Sequence, residues 1–199
     1  MCIWQGVPFE GIDRTCTASW SAAVERLTEA GVRWSDENIA LVTDMAQVNA
    51  KGGFAAVESY SIHRERLQRN GAGVDPNIRV RIERGAAITA SDLAEMTQGR
   101  QRLVAAMDAR FNNIDALVLP TTAIAAPKIV DVSAADEFGR KNAMLLRNTN
   151  MINFFDLCAI SLPLPLQDGL STGLMLVGRN GQDGRLFRIA AAVEHWLKG

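Results

Sequence analysis

The chain has 199 residues, 48% of them hydrophobic and 22% charged. That balance is ordinary for a packed globular protein, excludes disorder as the default, and at this length allows one large domain or two small ones. Lysine and arginine number 21 against 22 acidic residues, a net charge of −1 with the signs interspersed, which lacks the basic stripe of a nucleic-acid binder and excludes nucleic acid as an expected partner.

Along the chain, Asp13 to Ala30 reads as an amphipathic helix with Trp20, Val24 and Leu27 beside Ala22, Ala23 and Ala30, stopped by Gly31. Asp36 is placed to cap a second helix through Ile39, Val42, Met45, Ala46 and Val48. The pattern pauses at Lys51-Gly52-Gly53 and resumes as FAAVESYSIHRERLQRN, because each glycine inside a helix costs about 1 kcal/mol relative to alanine. Asp75-Pro76 starts a short helix, NIRVRIER, that stops at Gly85.

Thr89 and Asp92 resemble a capping box opening a long helix to about Asn112. DALVLP (115 to 120) has no polar alternation after Asp115, as in a central strand covered on both faces. Thr121 to Val132 reads as a loop with a short strand, and a further helix is expected between Arg140 and Phe155. CAISLPL (158 to 164) and TGLMLVG (172 to 178) form two apolar strands joined by a turn at Gln167-Asp168-Gly169, an antiparallel hairpin. Asp183 then caps a last helix with Leu186, Ile189, Ala190, Val193 and Trp196 on one stripe. The expectation is an α/β fold, helices packed around a mixed sheet of three or four strands whose edges need cover or pairing.

No stretch reaches the ~18 consecutive apolar residues of a membrane span. The N-terminus, MCIWQGVPFEGIDR, has neither the basic start nor the apolar run of a signal peptide. Cys2, Cys16 and Cys158 are scattered, odd in number and without a CxxC pair, so neither a disulfide framework nor a metal site is expected and a cytoplasmic location fits.

The segment 147 to 194 resembles the C-terminal signature of the amidase signature family, the Ser-Ser-Lys amide hydrolases. Arg147, Asn153, Ala159-Ile160-Ser161 with Pro163, Gly169-Leu170, Gly173, Gly178, Asp183, Leu186 and Ala190 to Glu194 carry it. VNAKGGFAAVESYSIHRERL, VDPNIRVRIERG and DALVLPTTAIAAPKI extend the similarity over roughly Asp13 to Glu194. Many members have glycine where this chain has Asp156, and proline where it has Cys158 and Ser171.

The resemblance implies hydrolysis of a carbon-nitrogen bond in a small linear amide, with no cofactor and no metal. It covers only the C-terminal half of the family's pattern, so residues 1–199 are expected to be a single domain, the C-terminal portion of an amidase signature domain. Family chemistry comes from a lysine and a Gly/Ser-rich loop in the N-terminal half. No Gly-Gly-Ser-Ser-Gly-Gly-like run occurs in these residues, and Lys51, Lys128, Lys141 and Lys198 sit in no such motif. No catalytic residue is therefore assigned, and the chain is expected to be a truncated form, inactive alone. The alternative is a non-catalytic partner that complements an N-terminal half, or a homo-oligomer that covers the same surface with a second copy.

Gly169-Leu170-Ser171-Thr172-Gly173 matches G-x-S-x-G, but a nucleophile elbow joins a strand to a helix, whereas here two strands flank the motif. Cys158 with His63 or His195 reads as core packing before a thiol dyad. What remains as substrate-pocket candidates is Thr121 and Thr122, hydroxyls at the carboxyl end of a strand, and Asn153, Asp156 and Ser161. Asn153 and Asp156 have the competing role of tying loop backbone together.

Overall fold

The computed structural model describes residues 1–167 and 169–198. Backbone proximity divides them into two units, Met1–Ala40 with Val104–Gly199, and Leu41–Leu103.

The first unit is built on a five-stranded sheet, β1 (Cys2–Gln5), β2 (Ser35–Asn38), β3 (Leu117–Pro120), β4 (Cys158–Pro163) and β5 (Gly173–Gly178), in the order β2-β1-β3-β5-β4. β1 runs parallel to both β2 and β3, and β5 runs antiparallel to both β3 and β4. The carboxyl ends of β1, β2, β3 and β4 therefore share one edge of the sheet. β3 is central and wholly buried, as its unbroken apolar run requires.

Strand alternation sends Val118, Leu162, Leu174 and Leu176 to one face. There they form a core with Ala23 and Leu27 of α1 (Arg14–Glu29) and Leu186, Ala190, Val193 and Leu197 of α7 (Asp183–Lys198). The 4-3-4 spacing in α7 makes a narrow stripe, and fully burying each leucine contributes roughly 1.5–3 kcal/mol before entropy. Trp196, expected on that stripe, sits about 80° off its centre at ~100° per residue and is 48% exposed; Leu197 takes the buried place. Leu117, Leu119, Met175 and Val177 fill the opposite face. Trp4 of β1 meets the Phe155 ring there, 6.4 Å between centroids, at the end of α6 (Ala135–Phe154).

The sheet has more strands than the expected three or four. Cys2–Gln5 pairs with β3, and Ser35–Asn38, expected to lead into a helix capped by Asp36, is an edge strand paired with β1. SDEN has no apolar alternation, and its strand state comes from backbone pairing with residues 33 positions earlier in the sequence. No strand forms within 121–132; its end is instead a 3₁₀ turn, Ile129–Val132. Asp183 is the first residue of α7, where Leu186 N–H donates to the Gln182 carbonyl. The expected hairpin turn includes Asp168, which lies outside the described residues; Gln167 and Leu170 on either side form a bridge.

The second unit is helical: α2 (Leu41–Val48), α3 (Gly53–Asn70), α4 (Pro76–Glu83) and the first two-thirds of α5 (Ala90–Arg110), whose remainder belongs to the first unit. The break falls at Gly52-Gly53, with φ of 126° and 77°, values that L side chains rarely adopt. Asp75 caps α4 by accepting from Asn77 N–H at 2.9 Å and Ile78 N–H at 3.3 Å. The capping box forms in full: Thr89 N–H donates to Asp92 Oδ2 at 2.9 Å, and Asp92 N–H donates to Thr89 Oγ1 at 3.1 Å. Lys51 adds an ion pair to Asp92. Gly85 lies against the α3 backbone; a Cβ there would overlap the Ala56 carbonyl and stand 2.8 Å from Tyr60 Cβ.

Candidate active-site edge

The carboxyl edge of the sheet is fixed by a buried amide and two engaged charges. Asn148, on the inner face of α6, is fully buried; its Nδ2 donates to the Pro120 carbonyl at 2.7 Å and the Pro8 carbonyl at 3.2 Å. It thereby joins the end of β3 to the turn after β1. Arg147 donates to the Glu10 carbonyl at 2.7 Å and the Pro8 carbonyl at 3.0 Å. Burial draws its pKa below the ordinary value, against the opposing pull of Glu10.

Asp13 caps α1 by accepting from Cys16 N–H at 2.7 Å, and its other oxygen accepts from Ala125 N–H at 2.7 Å. One carboxylate thus ends a helix and pins the loop after β3. Burial, and then the Asp13 carboxylate, push the Cys16 thiol up to about 12. That thiol is neutral and inert at physiological pH.

Between these fixed points stand two of the expected pocket residues. Thr121 Oγ1 and Ser161 Oγ, 40 residues apart, share a hydrogen bond of 2.6 Å. Thr121 N–H donates to the Gly173 carbonyl at 2.9 Å. A Cβ on Gly173 would stand 2.7 Å from Thr121 Oγ1 and closer still to Ser161 Oγ, so the pair forms only because that residue has no side chain. Thr122 Oγ1 turns back to the Ile124 carbonyl at 2.9 Å. On the face shared with Ser161, Ala159 and Pro163 are also exposed, which leaves that side of β4 open.

Asn153 and Asp156 lie elsewhere. They end α6 and precede Cys158, the amino end of β4, whereas Thr121 is level with its carboxyl end. Asp156 N–H reaches the Asn153 carbonyl at 3.4 Å, and Asp156 has φ of 55°, the left-handed region that glycine adopts most easily. The local backbone therefore has the shape suited to the glycine that the resemblance implies at this position. Asn148, Arg147 and Asp13 are not among the expected pocket residues; the signal that could have found the tie is a polar Asn148 at the i, i+3, i+4 spacing of the buried Met151 and Ile152.

Two other motifs resolve as structure. Ser171 is exposed in the connection between two antiparallel strands, so no nucleophile elbow forms. His195 is exposed on α7 with its ring 5.4 Å from that of Trp196, and Cys158 Sγ is bonded to the Arg179 carbonyl at 3.1 Å. Among the described residues no three His, Cys, Asp or Glu side chains converge to hold a metal ion, and no helix is long and apolar enough to cross a membrane.

A mixed sheet flanked by helices, with polar side chains gathered at the carboxyl edge of its parallel strands, defines an α/β protein of the kind that binds ligands at that edge. The chain belongs to the Amidase family, whose sequence model matches residues 2–187. It is 26% identical over 194 residues to 2-amino-5-chloromuconic acid deaminase of Comamonas testosteroni, covering 95% of this chain and 42% of that protein. It is 32% identical over 113 residues to a fatty acid amide hydrolase of Oryza sativa, covering 54% and 18%. Kluyveromyces lactis allophanate hydrolase shares the fold with a TM-score of 0.85 at 24% identity, over 98% of this chain and 32% of that one. A 6-aminohexanoate cyclic dimer hydrolase does so at 0.74 and 20% identity, over 99% and 44%. The chain spans less than half the length of these relatives.

Proposed function

We propose that these 199 residues form the C-terminal, pocket-walling portion of an amidase that hydrolyses the carbon-nitrogen bond of a small linear amide. One observation carries the reading: the family match runs through nearly the whole chain, yet the sequence holds neither the family's lysine motif nor its Gly/Ser-rich loop. Amide hydrolysis needs an activated nucleophile, a proton shuttle and oxyanion donors. In this reading all three come from sequence outside these residues, and the 199-residue chain is inactive alone. Thr121, Thr122 and Ser161 wall the substrate pocket. Asn153 and Asp156 hold the turn between α6 and β4, one step removed from the ligand.

Purified 199-residue protein should release no ammonia from butyramide or benzamide, and mixing with an N-terminal amidase fragment should restore release. Turnover by the chain alone, abolished by a point substitution within it, overturns the reading. The coding DNA upstream of Met1 distinguishes its two forms. An in-frame lysine motif and Gly/Ser-rich loop place both halves in one polypeptide. Their lack favours a separately encoded partner, or a second copy of this chain on the same surface. Labelling of Ser171 by a fluorophosphonate would instead favour an independent esterase-like enzyme.

A further inference from the structure

The two edges of the sheet differ in kind. β2 carries Asp36, which accepts from Gln5 at 3.0 Å, and Glu37, ion-paired with Arg110; charge on an edge strand opposes pairing with another chain. β4, CAISLP, carries none, and among the described residues it pairs on one side only, with β5.

The register shows which backbone groups of β4 stay open. Leu164 N–H donates to the Thr172 carbonyl at 3.1 Å, so the even-numbered positions, Leu162, Ile160 and Cys158, turn their backbone groups toward β5. Ala159, Ser161 and Pro163 turn theirs away from the sheet. Pro163 has no N–H to give. Leu157, the odd position before the strand, spends its N–H on the Ile152 carbonyl at 3.2 Å. The open ladder is therefore limited to Ala159 and Ser161, each with an N–H and a carbonyl, and both residues are exposed.

Such a ladder complements itself. Two copies laid antiparallel about a two-fold axis at Ile160 set Ala159 of one opposite Ser161 of the other, and the reverse. All the open N–H groups and the carbonyls of Ala159 and Ser161 are then used, and no charge meets a like charge. Ile160, half-buried against the core formed with α1 and α7, meets its own equivalent at the axis, where opposed side chains stand closest. An unrelated strand offers the backbone bonds without that apolar match.

We propose that the outer edge of β4 is a self-association surface on which a second copy of this chain pairs antiparallel about Ile160, joining two five-stranded sheets into one. The inference rests on strand register and is independent of the amidase reading.

Sedimentation velocity of the 199-residue chain from ~5 μM to ~1 mM should show a reversible monomer–dimer equilibrium with a dissociation constant of about 10–500 μM, the transient affinity of a small interface. Amide exchange at Ala159 and Ser161 should slow several-fold across that range. Ala159→Lys with Ser161→Lys, and separately Ala159→Glu with Ser161→Glu, place like charges opposite each other across the axis. Each double variant should fold and stay monomeric, and an equimolar mixture of the two should regain the dimer. Ala159→Pro, which removes one outward N–H and adds no charge, should weaken the dimer about tenfold or more, because the symmetry counts the loss twice. A chain that is monomeric throughout, a dimer unaffected by these variants, or a mixture that stays monomeric each overturns the proposal. Binding of an N-terminal amidase fragment along this edge by an otherwise monomeric chain also overturns it and assigns the edge to that fragment. Ammonia release after complementation is read separately: its failure sinks the amidase reading and leaves the sedimentation to decide the ladder.

Discussion

Replacing Asn148 by alanine should destabilise the first unit by about 2–4 kcal/mol, because the side chain is fully buried and cannot be replaced by water without opening the core. Of its two acceptors, the Pro8 carbonyl retains Arg147 at 3.0 Å, while the Pro120 carbonyl loses a donor at 2.7 Å. One orphaned buried carbonyl costs ~1–3 kcal/mol, and the space left by the carboxamide adds roughly 1 kcal/mol of lost packing. At ~2–4 °C per kcal/mol for a chain of this size, the melting temperature should fall by about 4–16 °C. All four tryptophans, Trp4, Trp20, Trp34 and Trp196, lie in the first unit, so urea unfolding followed by tryptophan fluorescence reports on it directly. Asn148→Asp should be no better than alanine, since a carboxylate has no N–H to offer two carbonyls. A loss below about 0.5 kcal/mol with an unchanged m-value would refute the assignment of Asn148 as the tie between β1 and β3.

Three further outcomes follow from particular contacts. The Lys51 ammonium, with the Thr89 N–H and hydroxyl, holds Asp92 down to about 2. Its contribution to stability is therefore present above the unfolded carboxylate value near ~4 and lost as pH falls through 2; a carboxyl NMR titration should show the low midpoint, and Lys51→Met should raise it. Cys16, raised to about 12, stays neutral in the fold while an unfolded thiol ionises near ~8.5, so stability should decline from that pH toward 12, and native protein at pH 8 should leave Cys16 unmodified by iodoacetamide. At position 156, φ of 55° should make Asp156→Gly more stable than Asp156→Ala by ~1 kcal/mol in paired melts, since both lose the carboxylate and only alanine bears the left-handed strain.

The local elements were legible because their signals are local. Asp75 and the Thr89–Asp92 box cap the helices that their spacing announces, Gly52-Gly53 breaks the chain where two glycines stand together, and the apolar run at 117–120 is a buried central strand. Family membership was legible too, since landmarks such as Ala159-Ile160-Ser161 and Gly173 keep their order and spacing. Thr121 and Ser161 could each be named from the sequence as pocket candidates.

Tertiary structure decided the rest, through pairings that no window of sequence contains. Ser35–Asn38 is a strand only because β1 offers its backbone edge. Leu197 rather than Trp196 enters the core because the facing sheet admits a narrow stripe. Above all, the 2.6 Å meeting of Thr121 with Ser161 depends on the register of β3, β5 and β4, and on the lack of a side chain at Gly173. The same register puts Asn153 and Asp156 at the opposite end of β4. Sequence fixes which residues bear chemistry; only the alignment of strands far apart in the chain determines which of them stand together.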